Sequence, residues 1–175
     1  MRKKLNMEYL ILKTIHILSA TILFGTGLGT AFFMWMAYLS KDVPTLSNTT
    51  RHVILADWFF TTPSVIIQPI TGVWLMSILH YSYTSLWFIL TIALYLLAGG
   101  CWIVVVIIQY RLHYIVKNIS KENAVLPATY HLLMRWWFSL GVIAFSAIII
   151  IYWLMVSKMA LSEVVISKRS GFGTF

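Results

Sequence analysis

Long apolar blocks separated by short polar breaks set the pattern of this chain. Four blocks are long enough to cross a hydrocarbon layer of roughly 30 Å at about 1.5 Å per helical residue. The spacing predicts helices over about residues 10–38, 53–79, 86–110 and 132–157. The breaks carry helix-ending punctuation. Residues 40–52 read SKDVPTLSNTTRH, a polar loop with Pro44, and residues 80–85 read HYSYTS, a tight turn. Residues 111–130 hold much of the remaining charge and end near Pro127. Trp and Tyr gather near the block ends, as in an interfacial aromatic belt. The expected fold is therefore an all-α membrane protein: a four-transmembrane-helix bundle with short loops, one domain over residues 1–175. The first block carries Lys13, His16 and a glycine run, and is too long for the apolar core of a cleaved signal peptide.

Composition agrees. Sixty per cent of the residues are hydrophobic and only 10% are charged, against about 25% charged in soluble domains, too few to build a water-facing surface. The formal net charge of +8 would suggest nucleic-acid binding in a soluble protein. Here the basic residues sit at block ends: Arg2, Lys3 and Lys4, then Arg111, Lys117 and Lys121, then Lys158, Lys168 and Arg169. That placement suits lipid headgroups and argues against a nucleic-acid partner. Seven basic residues fall on the side of the termini and six on the other, a split too even to orient the chain. The single cysteine, Cys101, lies inside an apolar block, which excludes an intramolecular disulfide or a cysteine metal cluster.

Polar residues at depth are the informative ones, because a charge at the bilayer centre costs about 2.5–3.5 kcal/mol. Helix 2 carries Asp57, Thr61, Ser64, Gln68 and Thr71, recurring every three or four residues. This spacing draws one polar stripe that faces the bundle interior, either as interhelical glue or as the wall of a cavity. Pro63 and Pro69 interrupt it, and each frees an upstream carbonyl for Thr61, Thr62, Ser64 or water to satisfy. Asp57 and Arg135 lie at similar depth, as does Gln109, and an Asp57–Arg135 ion pair is expected. Gly25 and Gly29 form a small-xxx-small face suited to close helix approach or to a flat cofactor. His16 lies roughly two turns into helix 1, where an imidazole hydrogen-bonds a neighbour, carries a proton or ligates haem iron. Met76 and His80 on helix 2 are the candidates for a second axial ligand. There is no CxxCH, HExxH, Walker loop or GxSxG motif, and no methionine or histidine cluster suited to a soft metal.

The stretches LKTIHILSATILFGTGLGTAFFMW, HVILADWFFTTPSVIIQPITGVWLM, LYLLAGGCWIVVVIIQY and YHLLMRWWFSLG resemble a family of predicted bacterial four-helix membrane proteins, the DUF2269 family. The likeness runs from about Met7 to Lys158 and implies a multi-pass protein of the bacterial inner membrane. More distantly, the layout resembles the superfamily of CopD-type copper-resistance proteins and the HemJ-type protoporphyrinogen oxidase. His16 in LKTIH matches a helix 1 histidine of the oxidase, and GVWLM resembles the end of its helix 2. The oxidase's helix 3 histidine is replaced around Gln109, and its basic start of helix 2 by LADW at Asp57. The likeness thus implies b-type haem at His16 without implying the oxidase activity.

Two functional expectations follow. One is a b-type haem-binding or redox-associated membrane protein, with His16 as an axial iron ligand and Met76 or His80 opposite. The other is a non-catalytic assembly partner or small transporter, in which Asp57, Gln68, Gln109 and Arg135 hold the interior together. The expected partners are the lipid bilayer and other membrane proteins or further copies of the chain.

Overall fold

The computed structural model describes residues 2–119 and 125–170, with side chains over 7–119 and 125–157. The basic residues Arg2, Lys3, Lys4, Lys121, Lys158, Lys168 and Arg169 therefore lie outside the described side chains. The elements are α1 (Arg2–Ser40), α2 (Val43–Ala56), a π-helical turn (Asp57–Thr61), α3 (Thr62–Ile78), α4 (Leu86–Lys117) and α5 (Ala128–Ser170). α2, the π-turn and α3 run end to end as one rod. Four segments are long and apolar enough to cross a membrane: Met7–Ser40, Val43–Ile78, Leu86–Lys117 and Ala128–Ser157.

The helices run further than hydropathy predicts. The expected 40–52 loop shrinks to Lys41 and Asp42, because the same residues carry helix-start chemistry. Asp42 caps α2, its Oδ2 accepting from Thr45 N at 2.9 Å and from Thr45 Oγ1 at 2.5 Å, with Pro44 in the first turn. Those two Thr45 hydrogen bonds, side chain first, hold the Asp42 carboxyl below the usual carboxylate range. α4 continues past Tyr110 because Leu112 and Val116 extend its buried face beneath the charges of Arg111 and Lys117. The 80–85 turn closes α3 with His80 in the left-handed region at φ 53, while Tyr81 N–H reaches back to Met76 O at 3.1 Å. This is a Schellman-type cap built on histidine instead of glycine.

The two prolines shape the second span differently. A residue at position 63 of a regular helix would donate to the carbonyl of Phe59, but Pro63 has no N–H and its ring crowds that carbonyl. The chain widens by one residue instead: Thr62 N–H and Thr62 Oγ1 both reach Asp57 O, the hydroxyl at 2.9 Å. Pro69 leaves the carbonyl of Val65 without its helical donor. Neither a neighbouring Thr nor Ser answers it; the Tyr95 hydroxyl of α4 donates to it across the helix gap.

The main core lies at the end of the bundle away from the termini. Met34 and Ala37 of α1, Leu46 and Val53 of α2, Val105, Ile108, Leu112 and Val116 of α4, and Tyr130, Met134 and Trp137 of α5 form one buried cluster. Towards the termini the helices associate mainly as two pairs, α1 with α3 and α4 with α5. Between the pairs, Tyr152 Oη donates to Ala20 O at 2.7 Å, and the Phe24 and Phe145 rings stack at 4.5 Å.

The glycine face of α1 departs from expectation. A Cβ added at Gly25, Gly27 or Gly29 would meet nothing within 4 Å, so these residues permit no close approach within the chain. Gly72 of α3 fills that role instead: a Cβ there would lie 3.4 Å from His16 Cε1.

Candidate functional site

The helix 2 stripe turns inward. Asp57, Thr61, Ser64 and Thr71 are buried, and Gln68 is half-buried between α1 and α3. The stripe serves two separate polar stations.

The first station joins α1 to α3. His16 Nδ1 lies 2.7 Å from Thr71 Oγ1, which itself donates to Ile67 O at 2.7 Å. The Thr71 hydroxyl thus bridges the α3 backbone and the imidazole, and ties the ring of His16 to α3 through Nδ1. Gln68 Nε2 donates to His16 O at 2.8 Å and to Ser19 Oγ at 2.7 Å. Ser19 Oγ donates to His16 O at 3.1 Å. His16 is thus fixed by a hydroxyl on its ring, an amide on its carbonyl and the bare backbone of Gly72 beneath the ring. Met76 is buried on the same face of α3, one turn beyond Gly72. His80 is exposed in the left-handed cap, which separates it from the interior.

The second station is the π-turn. Asp57 is 7% exposed; its Oδ1 accepts from Thr61 Oγ1 at 2.7 Å, and its Oδ2 has no hydrogen-bond partner. Gln109 of α4, 2% exposed, lies beside the carboxylate with its own Oε1 unpartnered. The expected ion pair does not form. Arg135 is exposed on α5, whose buried face is Tyr130, Met134 and Trp137. One residue beyond Met134 is about 100° around the helix, which carries Arg135 off that face. The rotation of α5 is not visible in a depth argument.

Sequence reasoning missed three polar contributors. Tyr95 reaches the carbonyl freed by Pro69, and its only advance signal was a tyrosine in mid-block. Trp58 Nε1 donates to Tyr110 Oη at 2.7 Å, joining α4 to the π-turn. Tyr38 Oη and His131 Nδ1 lie 2.7 Å apart, joining α1 to α5 near the core end. Among the described residues no group of three or more His, Cys, Asp or Glu could hold a metal ion.

Four apolar spans joined by polar interhelical stations define an α-helical integral membrane protein, which sits in a lipid bilayer. The chain belongs to the family described as "Predicted integral membrane protein (DUF2269)", whose model matches residues 10–159. No curated protein and no solved structure matches it. The more distant likeness to CopD-type and HemJ-type proteins accordingly gained no match.

Proposed function

We propose that the protein binds b-type haem at the α1–α3 station and serves membrane redox chemistry. The observation that carries this reading is the setting of His16. Its Nδ1 lies 2.7 Å from Thr71 Oγ1, and a hydrogen bond at that nitrogen orients an imidazole as an outer partner orients an iron-ligating histidine. Gly72 lies against the ring, where an added Cβ would sit 3.4 Å from Cε1. Met76, buried on α3, would hold the group on its other side, since His80 is exposed. A His/Met pair is a known haem ligand set that favours electron transfer and a raised potential. The bound group supplies one-electron chemistry. The chain's own residues hold and orient the imidazole, Thr71 at the ring and Gln68 at the His16 carbonyl.

The test is a reduced-minus-oxidised spectrum of protein purified in mild detergent after haem-replete expression. A b-type band is expected, lost in His16→Ala and shifted in Met76→Leu. A colourless wild-type protein ends the proposal.

A second reading has its own observation. Gln68 donates across the helix boundary to two α1 acceptors, which is how interhelical glue behaves. On this reading the chain is a non-catalytic assembly partner or small transporter. His16→Ala then costs stability and leaves function in the membrane unchanged.

A further inference from the structure

The π-turn station takes no part in the haem reading. Asp57 Oδ2, Gln109 Oε1 and Trp102 Nε1 are all buried without hydrogen-bond partners. All three residues line one cavity of about 160 Å³, with Trp58 and Tyr110 on its wall. An apolar cavity of about 150 Å³ admits benzene, so this one has room for several heavy atoms.

The chemistry of the wall selects the occupant. A carboxylate out of water is stable in its charged form only against a counter-charge. No described side chain hydrogen-bonds Asp57 Oδ2, and Arg135 is exposed on α5. Gln109 Oε1 adds a second unanswered acceptor beside it. A hard inorganic cation requires a shell of about six or more oxygens, and of the wall's side-chain oxygens only Asp57 Oδ2 and Gln109 Oε1 are unengaged, since Asp57 Oδ1, Thr62 Oγ1 and Tyr110 Oη already take part in hydrogen bonds. Aromatic faces attract organic cations. We propose that this cavity binds a small organic ammonium ion, its N–H groups donating to Asp57 Oδ2 and Gln109 Oε1 and its carbon body lying against Trp58, Trp102 and Tyr110. Trp102 Nε1–H offers a donor to any oxygen the ligand carries beside its nitrogen. Such an ammonium arrives either free or as a lipid headgroup.

The test uses the full chain in maltoside detergent, titrated calorimetrically at neutral pH with benzylammonium and with benzyl alcohol, its uncharged analogue. Saturable benzylammonium binding is expected, with the alcohol about tenfold or more weaker, a difference of about 1.4 kcal/mol. Asp57→Asn, checked for folding by thermal melt, is expected to lose about tenfold or more. Trp58→Leu changes an exposed rim residue and is expected to weaken binding about three- to fivefold; it carries the test if Asp57→Asn does not fold. Competition by added phosphatidylethanolamine assigns the ammonium to a headgroup, and its absence assigns it to a free amine. No saturable binding overturns the proposal, as does equal binding of amine and alcohol, or unchanged binding in the folded variants.

Discussion

Tyr95→Phe isolates the hydrogen bond that compensates for Pro69. The substitution keeps the ring and removes one hydroxyl, so packing is conserved and the Val65 carbonyl loses the donor that replaced its missing helical N–H. Leaving a buried acceptor unanswered costs about 1–3 kcal/mol. Interhelical hydrogen bonds in membrane bundles average about 0.6 kcal/mol and reach about 1.7. The carbonyl has no neighbouring Ser or Thr hydroxyl bonded to it, and Tyr95 is half-buried, so a loss of about 1–1.5 kcal/mol is expected. The compensation has a specific partner test. Pro69→Ala restores an N–H four residues after Val65, and in that background Tyr95→Phe should cost less than about 0.5 kcal/mol. The four proteins of the cycle are compared by reversible unfolding in mixed dodecyl sulfate–maltoside micelles, read by far-ultraviolet circular dichroism. The expected coupling is about 1 kcal/mol. An equal cost of Tyr95→Phe in both backgrounds would refute the link between the tyrosine and the proline.

Gln68→Leu removes two hydrogen bonds between α1 and α3 while His16 O and Ser19 Oγ keep each other, so a loss of about 1 kcal/mol is expected in the same unfolding assay. Asp57→Asn and Arg135→Gln should be additive in a double-mutant cycle, with Arg135→Gln alone within about 0.5 kcal/mol of wild type; coupling above that would restore the ion pair. The depressed Asp42 pKa makes its N-cap contribution fully present above the unfolded carboxylate range and lost as pH falls through the folded value, so the protection of the Thr45 amide relative to its intrinsic exchange rate should fall in acid in the wild type and show no such fall in Asp42→Ala. Gly29→Ala should leave stability unchanged or raise it by up to about 1 kcal/mol, since its new methyl meets open space.

The sequence made some of this architecture legible and hid the rest for definable reasons. Hydropathy exposed the four spans because lipid demands continuous apolar length. Periodicity exposed the Asp57–Thr71 stripe because one buried face of a helix repeats every three to four residues, and all five positions turned inward or halfway inward. Helix ends were misplaced because charged residues past the membrane boundary remain helical when their neighbours, such as Leu112 and Val116, continue a buried face. Pairing across helices was the poorest reading. Depth along the chain fixes one coordinate of a side chain, while rotation about the axis fixes whether two residues meet. His16 met the stripe, Arg135 did not meet Asp57, and a Cβ at the α1 glycines would meet nothing within 4 Å.

The separation between the α1–α3 station and the main core also bears on biogenesis. Every residue of the station, His16, Ser19, Gln68, Thr71 and Gly72, lies in the first two spans. The hydrogen bonds of this station can therefore form as soon as both spans have left the ribosome and reached lipid. The buried cluster at the other end needs Tyr130, Met134 and Trp137 from the last span, so it closes only when synthesis is nearly complete. A truncation after residue 79 should leave a paired hairpin with His16 already oriented, while the rest of the bundle waits for α5 to zip the far end shut.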